Sequence, residues 1–298
     1  MKVLLLGKNG QVGWELQRSL VPLGEVIALG SDQADFTQLD ELANTVQTIQ
    51  PAIIVNAAAH TAVDKAESEP ELARTINALA PKVLAEYAKQ NNAWLMHYST
   101  DYVFDGSGDK PWRESDSTAP LSVYGATKLE GEHSIQQSGC KHLIFRTSWV
   151  YGARGGNFAK TMLRLAQERD SMNVINDQIG APTGADLLAD ITAHAIRIAQ
   201  QDAQVSGLYH LVAGGETSWF DYAKFVLSLA QRAEMPLKVT PEKIQPVPTR
   251  AFPTPAKRPH NSRLDTTKLQ RTFDLCLPDW RVGVMRMLSE VLQRDLVV

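Results

Sequence analysis

Cysteine is nearly missing from this chain: Cys140 and Cys276 are the only two among 298 residues. So few supply no disulfide framework and no zinc-ligand spacing, and they fit a reducing compartment, although the two could still pair. Long apolar runs are missing as well. No segment reaches the roughly 18 consecutive apolar residues that span a bilayer. The opening run Met1-Lys2-Val3-Leu4-Leu5-Leu6-Gly7 is too short for a signal peptide. Nor is there an excess of one charge: 30 basic against 33 acidic residues give a formal net charge of −3. That balance, with a pI near 6.2, gives no reason to expect nucleic acid or an anionic membrane as a partner. Internal repeats and low-complexity tracts do not occur. What remains, with 44% apolar residues, reads as a soluble, cytoplasmic globular chain with a sizeable core.

Strands and helices alternate along the chain, which predicts an α/β fold: a doubly wound parallel sheet covered on both faces. Apolar runs place strands at residues 1–6, 26–29, 52–55, 93–96, 142–146 and 208–211. Helical spacing follows at residues 14–20, 122–138, 158–169, 185–200 and 220–232, with further helices ending near Gln50 and Gln90. Thr37-Gln38-Leu39-Asp40 has the spacing of a capping box. The length suits one large domain with a lobe: residues 1–150 as the dinucleotide-binding part, and 151–298 mainly as a substrate lobe with some segments returning to the sheet. Gly7-Lys8-Asn9-Gly10-Gln11-Val12-Gly13 joins the first strand to a helix. Strand, glycine turn and helix N-terminus together make an anion site, since glycines admit close backbone approach and the helix-end amides face the anion. The spacing is G-x-x-G-x-x-G and departs from G-x-G-x-x-G. Read alone, it is also compatible with a tight βα turn and nothing more.

A second pattern lies between Ser99 and Lys128. Tyr124 and Lys128 are i and i+4 on the helix expected at 122–138, side by side on one surface. A tyrosine titrating near 10 is a poor proton shuttle at neutrality, and a nearby ammonium lowers that value toward the useful range. A hydroxyl at the preceding strand end, Ser99 or Thr100, is placed to bond the same substrate oxygen. Tyr-x-x-x-Lys by itself is weak and also describes an exposed aromatic beside a solvated lysine.

Taken together, the glycine loop, Asn56-Ala57-Ala58-Ala59, Ser99-Thr100-Asp101 and the Tyr124 block resemble the extended short-chain dehydrogenase/reductase family. Longer stretches narrow the resemblance to its members that reduce dTDP-linked 4-keto-6-deoxysugars. These are 56–64, 98–104, Phe145-Arg146-Thr147-Ser148-Trp149-Val150-Tyr151, Asn176-Asp177-Gln178-Ile179-Gly180-Ala181-Pro182-Thr183 and Arg258-Pro259-His260-Asn261-Ser262-Arg263-Leu264. They span almost the whole chain.

The resemblance implies a Rossmann-type fold, NADPH or NADH as cofactor, a dTDP-linked 4-keto-6-deoxysugar as substrate, magnesium, and a homodimer. It implies Tyr124, Lys128 and Thr100 as catalytic groups. Gly7, Gly10, Gln11, Val12 and Gly13 would hold the pyrophosphate. Asp35 and Phe36 would contact adenine, and Ala57, Ala58, Ala59, His60, Thr61 and Tyr98 would border the cofactor with Tyr124 and Lys128. His60 itself, a lone histidine at a strand end, reads as structural and not as a catalyst. No carboxylate stands directly at the second strand end; Asp32 is nearest, and Ser31 with Lys8 suits a 2′-phosphate, a lean to NADPH. For substrate the expected contacts are Thr100, Asp101, Tyr124, Trp149 and Arg258, the last toward a diphosphate, with core packing for Trp149 and a solvated loop for Arg258 as the alternatives. The loop 105–120 is expected to be a flap, with a surface connection as its alternative. Asp64, Glu67, Glu69 and Glu71 read as a solvated helix start. Glu15, Asp186 and Glu290 are the weak candidates for a metal, with exposed carboxylates as the default. Related dehydratases follow the Thr with Asp-Glu, whereas Thr100-Asp101 here is followed by Tyr102. An epimerase would return its hydride. A non-enzymatic NADP-binding regulatory subunit would lose the Tyr/Lys pair, which is intact.

Overall fold

The computed structural model describes residues 1–296; the last two residues of the expected lobe lie outside that range. Six parallel strands form the central sheet in the order Gly207–His210, β5, β4, β3, β1, β2. Here β1 is Lys2–Leu6, β2 Glu25–Leu29, β3 Ile53–Asn56, β4 Trp94–Thr100 and β5 Lys141–Thr147. β3 and β4 are buried along their whole length, as strands must be when helices cover both faces of a sheet. Helix α1 (Gln11–Leu20) and the Ala185–Gln201 helix share one face, where Leu16, Leu20, Leu188 and Ile196 meet Leu5, Val55 and Met96. The other face is covered by Leu39–Ile49, Ala80–Gln90 and Val123–Ser138, which pack Leu42, Leu84 and Ile135 on Leu4, Ile54 and Leu95.

The chain after residue 150 serves two bodies. Residues 185–211 and the Thr267–Phe273 helix contribute to the sheet's core through Leu188, Ile191, Tyr209, Leu269 and Phe273. A separate core joins the helices Phe158–Glu168, Trp219–Arg232 and Trp280–Leu292 around Tyr222, Val226, Trp280 and Leu288. Two short strands, Met172–Ile175 and Ile244–Val247, pair in parallel against it. Among the described residues no helix is long and apolar enough to cross a membrane.

Two local expectations are corrected, and one helix gains its full course. Thr37 does not open a capping box: Asp35 Oδ1 accepts from the Thr37 amide at 2.8 Å, and the helix starts at Leu39 with no side-chain cap. The helix ending at Gln90 begins at Pro70 and passes through a π turn at Thr75–Leu79. The loop 105–120 is pinned down and is no flap. Trp112 exchanges backbone hydrogen bonds with Arg263 and Asp265, stacks on Phe104 at 4.6 Å, and Asn261 Nδ2 donates to the Lys110 carbonyl at 2.8 Å.

Across the sheet core, Arg146 of β5 pairs with Glu132 of the Val123–Ser138 helix at 2.6 Å, their side chains 4% and 1% exposed. Removing one partner of such a buried pair leaves an uncompensated charge. Arg146→Met is therefore expected to cost about 3–5 kcal/mol in urea unfolding, and the double variant Arg146→Met/Glu132→Met to recover most of it.

Candidate active site

Parallel α/β sheets place their clefts beyond the carboxyl ends of the strands, where the strand order reverses. Here β1 has β2 on one side and β3 on the other, so the Gly7 turn and the Ala57–Ala59 segment emerge side by side. Gly7 has φ +86°, and a Cβ there would press into the backbone of Ala57 and Ala58. A Cβ on Gly13 would collide with the Gly7 carbonyl, which lets α1 sit directly on the loop. Gly10 is the N-cap of α1 and no side chain caps that end, leaving its first amides open toward the cleft.

Two connected compartments follow. The first, about 270 Å³, is lined by Gly7, Gly10, Gly30, Ser31, Asp35, Phe36, Ala57, Ala58 and Ala59. Lys8 runs beside Gly30 of this compartment, and its Nζ donates to Gln33. The second, about 560 Å³, brings together Gln11, Val12, Ala59, Thr61, Tyr98, Ser99, Thr100, Asp101, Tyr124, Lys128 and Trp149. Gly13 and His60 line neither compartment. The first is packed against Gly7; the second exchanges hydrogen bonds with Asn77, its amide donating to Oδ1 at 2.9 Å and its carbonyl accepting from Nδ2 at 3.1 Å.

The Tyr124 helix, Val123–Ser138, begins at Ser122, whose hydroxyl accepts from the Gly125 amide at 3.2 Å, while Glu67 Oε1 accepts from the Val123 amide at 2.9 Å. Gly125 and Gly131 lie against the backbones of Tyr102 and Asn77 with no room for a Cβ. This close docking buries Lys128, which is 2% exposed and whose Nζ donates to the Tyr98 carbonyl at 2.6 Å and sits 3.1 Å from His97 Nε2. Burial pushes the Lys128 amine down to about 8, against the pull of Glu132.

Lys128 does not acidify Tyr124 in this state. Burial pushes the phenol up to about 12, offset by a hydrogen bond with Thr100 and reinforced by the Asp101 carboxylate. Asp101 is buried, which raises it to about 6 against hydrogen bonds from Ser262 and Thr100. The Ser99 and Thr147 hydroxyls, on residues of the cleft wall, are buried without a partner, a state in which buried polar atoms are rarely left.

The lobe closes the outer end. Trp149 adopts a left-handed backbone, φ +49°, a strained choice for a bulky residue that is concentrated at functional sites. Its indole stacks on Trp219 with centroids 3.6 Å apart, and Trp219 Nε1 donates to Gln178 Oε1 at 3.0 Å. Beyond the two indoles a further cavity of about 270 Å³ is lined by Tyr102, Phe158, Asn173, Phe252, Arg258 and Ser262. Arg258 is no solvated loop residue: it grips Asp64 through both terminal nitrogens, at 3.1 and 2.7 Å. That pair also corrects the reading of the acidic stretch, since Asp64 anchors Arg258, Glu67 caps the Tyr124 helix, and Glu69 lies 3.6 Å from both His60 and Lys65.

The three metal candidates do converge, around cations of the chain itself. Arg286 meets Asp186 at 3.3 Å and Glu290 at 3.8 Å, and Arg18 lies 3.9 Å from Glu15. With a guanidinium already between the carboxylates this donor set forms a salt-bridge network, and among the described residues no group of three or more ligating side chains could hold a metal ion. Sequence reasoning missed Tyr102, Trp219, His97, Asn77 and Ser262. Of these, Ser262 lay in a quoted motif, as did Tyr102, and the others carried no local signal.

The family described as RmlD substrate binding domain matches residues 1–293. A dTDP-4-dehydrorhamnose reductase of Escherichia coli (strain K12) is 61% identical over 295 residues, 98% of each chain. One from Burkholderia thailandensis is 45% identical and covers 99% of this chain and 100% of that one. Among solved structures, a dTDP-4-dehydrorhamnose reductase from Clostridium acetobutylicum superposes with TM-score 0.88 at 37% identity, covering 98% and 100% of the two chains. Another, from Bacillus anthracis in complex with NADP, gives TM-score 0.86 at 36% identity over 97% and 99%. On the strength of the full-length match and the shared fold, this chain belongs to the RmlD substrate binding domain family.

Proposed function

We propose that this chain reduces the C4 ketone of dTDP-4-dehydro-L-rhamnose to dTDP-L-rhamnose with a reduced nicotinamide cofactor. The observation that carries the reading is the convergence of Thr100, Tyr124 and Lys128 on one wall of a cleft whose other end is a glycine loop at an uncapped helix N-terminus. The names of its relatives, at 45–61% identity, support the same substrate. The glycine cradle and the free amides of α1 fit a dinucleotide pyrophosphate, and the compartment at Asp35 and Phe36 fits its adenosine. When bound, that cofactor supplies a hydride to the carbonyl carbon.

The chain's own work is then the proton and the orientation. Thr100 and Tyr124 line the same cleft, where both hydroxyls reach one substrate oxygen. A reductive general acid must start protonated, and the raised Tyr124 phenol satisfies that. As the carbonyl oxygen gains charge, Tyr124 gives it the phenolic proton, and Lys128 stabilises the phenolate left behind. Trp149 covers the sugar. Arg258 and Tyr102 border the cavity suited to the nucleotide end, where Arg258 meets the diphosphate. The 1–150 part and the lobe close on this cleft from opposite sides. A homodimer in the cytoplasm is part of the same proposal. Lys8 and Ser31, with no carboxylate directly at the β2 end, favour NADPH over NADH.

Incubation with dTDP-4-dehydro-L-rhamnose and each reduced cofactor, followed by nicotinamide absorbance, tests the reading. Stoichiometric loss of reduced cofactor is expected; none with either cofactor would refute it. Tyr124→Phe is expected to lower kcat roughly 10²–10⁴-fold while cofactor still binds, and unchanged turnover would remove Tyr124 from its role. Lys8→Ala is expected to raise KM for NADPH about tenfold or more, the loss of one charge-assisted hydrogen bond, and to leave KM for NADH unchanged.

A further inference from the structure

Behind Lys128 runs a buried chain of hydrogen bonds whose direction is fixed at its far end. The backbone amide of Ala58 is always a donor, and it donates to Asn56 Oδ1 at 3.0 Å. The other half of that amide, Nδ2, therefore faces His97 Nδ1, 3.1 Å away. Nδ1 must accept, so the single proton of a neutral imidazole sits on Nε2. Nε2 in turn lies 3.1 Å from Lys128 Nζ. An ammonium has three donors and no acceptor, so it would meet the Nε2 proton donor to donor. A neutral amine fits: its lone pair accepts from His97 while it donates to the Tyr98 carbonyl at 2.6 Å. His97 is 0% and Asn56 1% exposed, so water does not rescue a mismatch. Burial also keeps His97 from taking a second proton.

We propose that Asn56 and His97 are positioning residues that fix the His97 ring proton on Nε2, so that Lys128 gives up its own proton more readily in the ligand-free chain than it would facing an acceptor. The consequence for turnover rests on the reductase reading above; the proton arrangement itself does not. Other groups face Lys128 from each neighbouring element. Tyr124 and Glu132 stand one turn either side on its own helix, and Glu132 is neutralised by Arg146 of β5. From β4 come His97 and the Tyr98 carbonyl, and Asp101 at its end acts on the phenol. None of these supplies an acceptor aimed at Nζ except the Tyr98 carbonyl. The arrangement weakens the charge that Lys128 presents to the phenol, which burial already raises.

The direct test is the histidine tautomer in the wild-type, ligand-free protein, read by long-range ¹H–¹⁵N correlation with ¹⁵N-labelled histidine. The expected result is a His97 ring protonated at Nε2 only; an Nδ1 proton or an imidazolium overturns the proposal. A second arm uses Asn56→Asp, whose carboxylate accepts from both Ala58 and a proton on His97 Nδ1. That reverses the ring and turns Nε2 into an acceptor for an ammonium. With ¹³Cε-labelled lysine in the ligand-free chain, the Lys128 midpoint near 8 in the wild type is expected to rise by about one pH unit or more. The pH profile of kcat should move in the same direction with KM little changed. A folded Asp variant that keeps the Nε2 proton overturns the account, because added charge alone would move Lys128 without reversing the ring. His97→Gln, which presents a carbonyl to Asn56 and an N–H to Lys128, is expected to retain the wild-type midpoint. Loss of reductase activity in every assay would refute the reaction and leave the tautomer result standing; a wrong tautomer with normal turnover would do the opposite.

Discussion

A lysine amine with almost no access to water has to find its partners in the protein, and that requirement ties the Tyr124 helix to β4. Lys128 reaches the Tyr98 carbonyl and His97 only because Gly125 and Gly131 let the helix lie against the backbones of Tyr102 and Asn77. Once the helix is seated, Tyr124 is carried to Thr100 and Asp101 without further adjustment. The buried Arg146–Glu132 pair fixes the same helix one turn further along. Stability and chemistry thus draw on one interface. Displacing the helix would unsatisfy an amine and a carboxylate at once, each a cost of several kcal/mol in a low-dielectric interior.

The cleft is completed from both directions along the sequence. Its floor comes from the first half, where the strand order reverses and glycines allow backbone to lie on backbone. Its outer wall comes from the lobe, through Trp149, Trp219 and Arg258. The lobe itself is anchored to the first half by charge: Arg258 holds Asp64 from 194 residues away, and Asn261 fastens the 105–120 loop. A segment rich in Gly, Asp, Ser and Pro, expected to move, is thereby made part of the frame.

The parts legible in the sequence were those whose signal is local. A strand followed by three glycines, an apolar run ending in Ser99-Thr100, and Tyr124 four residues before Lys128 each carry their geometry in their spacing. The positions of strands and most helices followed from apolar periodicity for the same reason. What stayed hidden depended on distant contacts. Nothing near Asp64 announces Arg258, nothing near Trp149 announces Trp219, and a strand histidine such as His97 gives no sign that it will meet Lys128. The Thr37 capping box was misread because Asp35 competes for the same amide, a choice that side-chain geometry alone decides. The sign of the Tyr124 shift was missed for a deeper reason: spacing puts an amine next to a phenol, but whether that amine carries charge depends on what else it touches.

The most direct measurement of the central claim follows the hydride itself. With reduced cofactor deuterated at both C4 positions of the nicotinamide and dTDP-4-dehydro-L-rhamnose as substrate, NMR of the sugar reports where the label arrives. A reductase built as described delivers one deuterium to C4 of the sugar for each cofactor oxidised. A sugar that is changed without acquiring that deuterium would contradict the account.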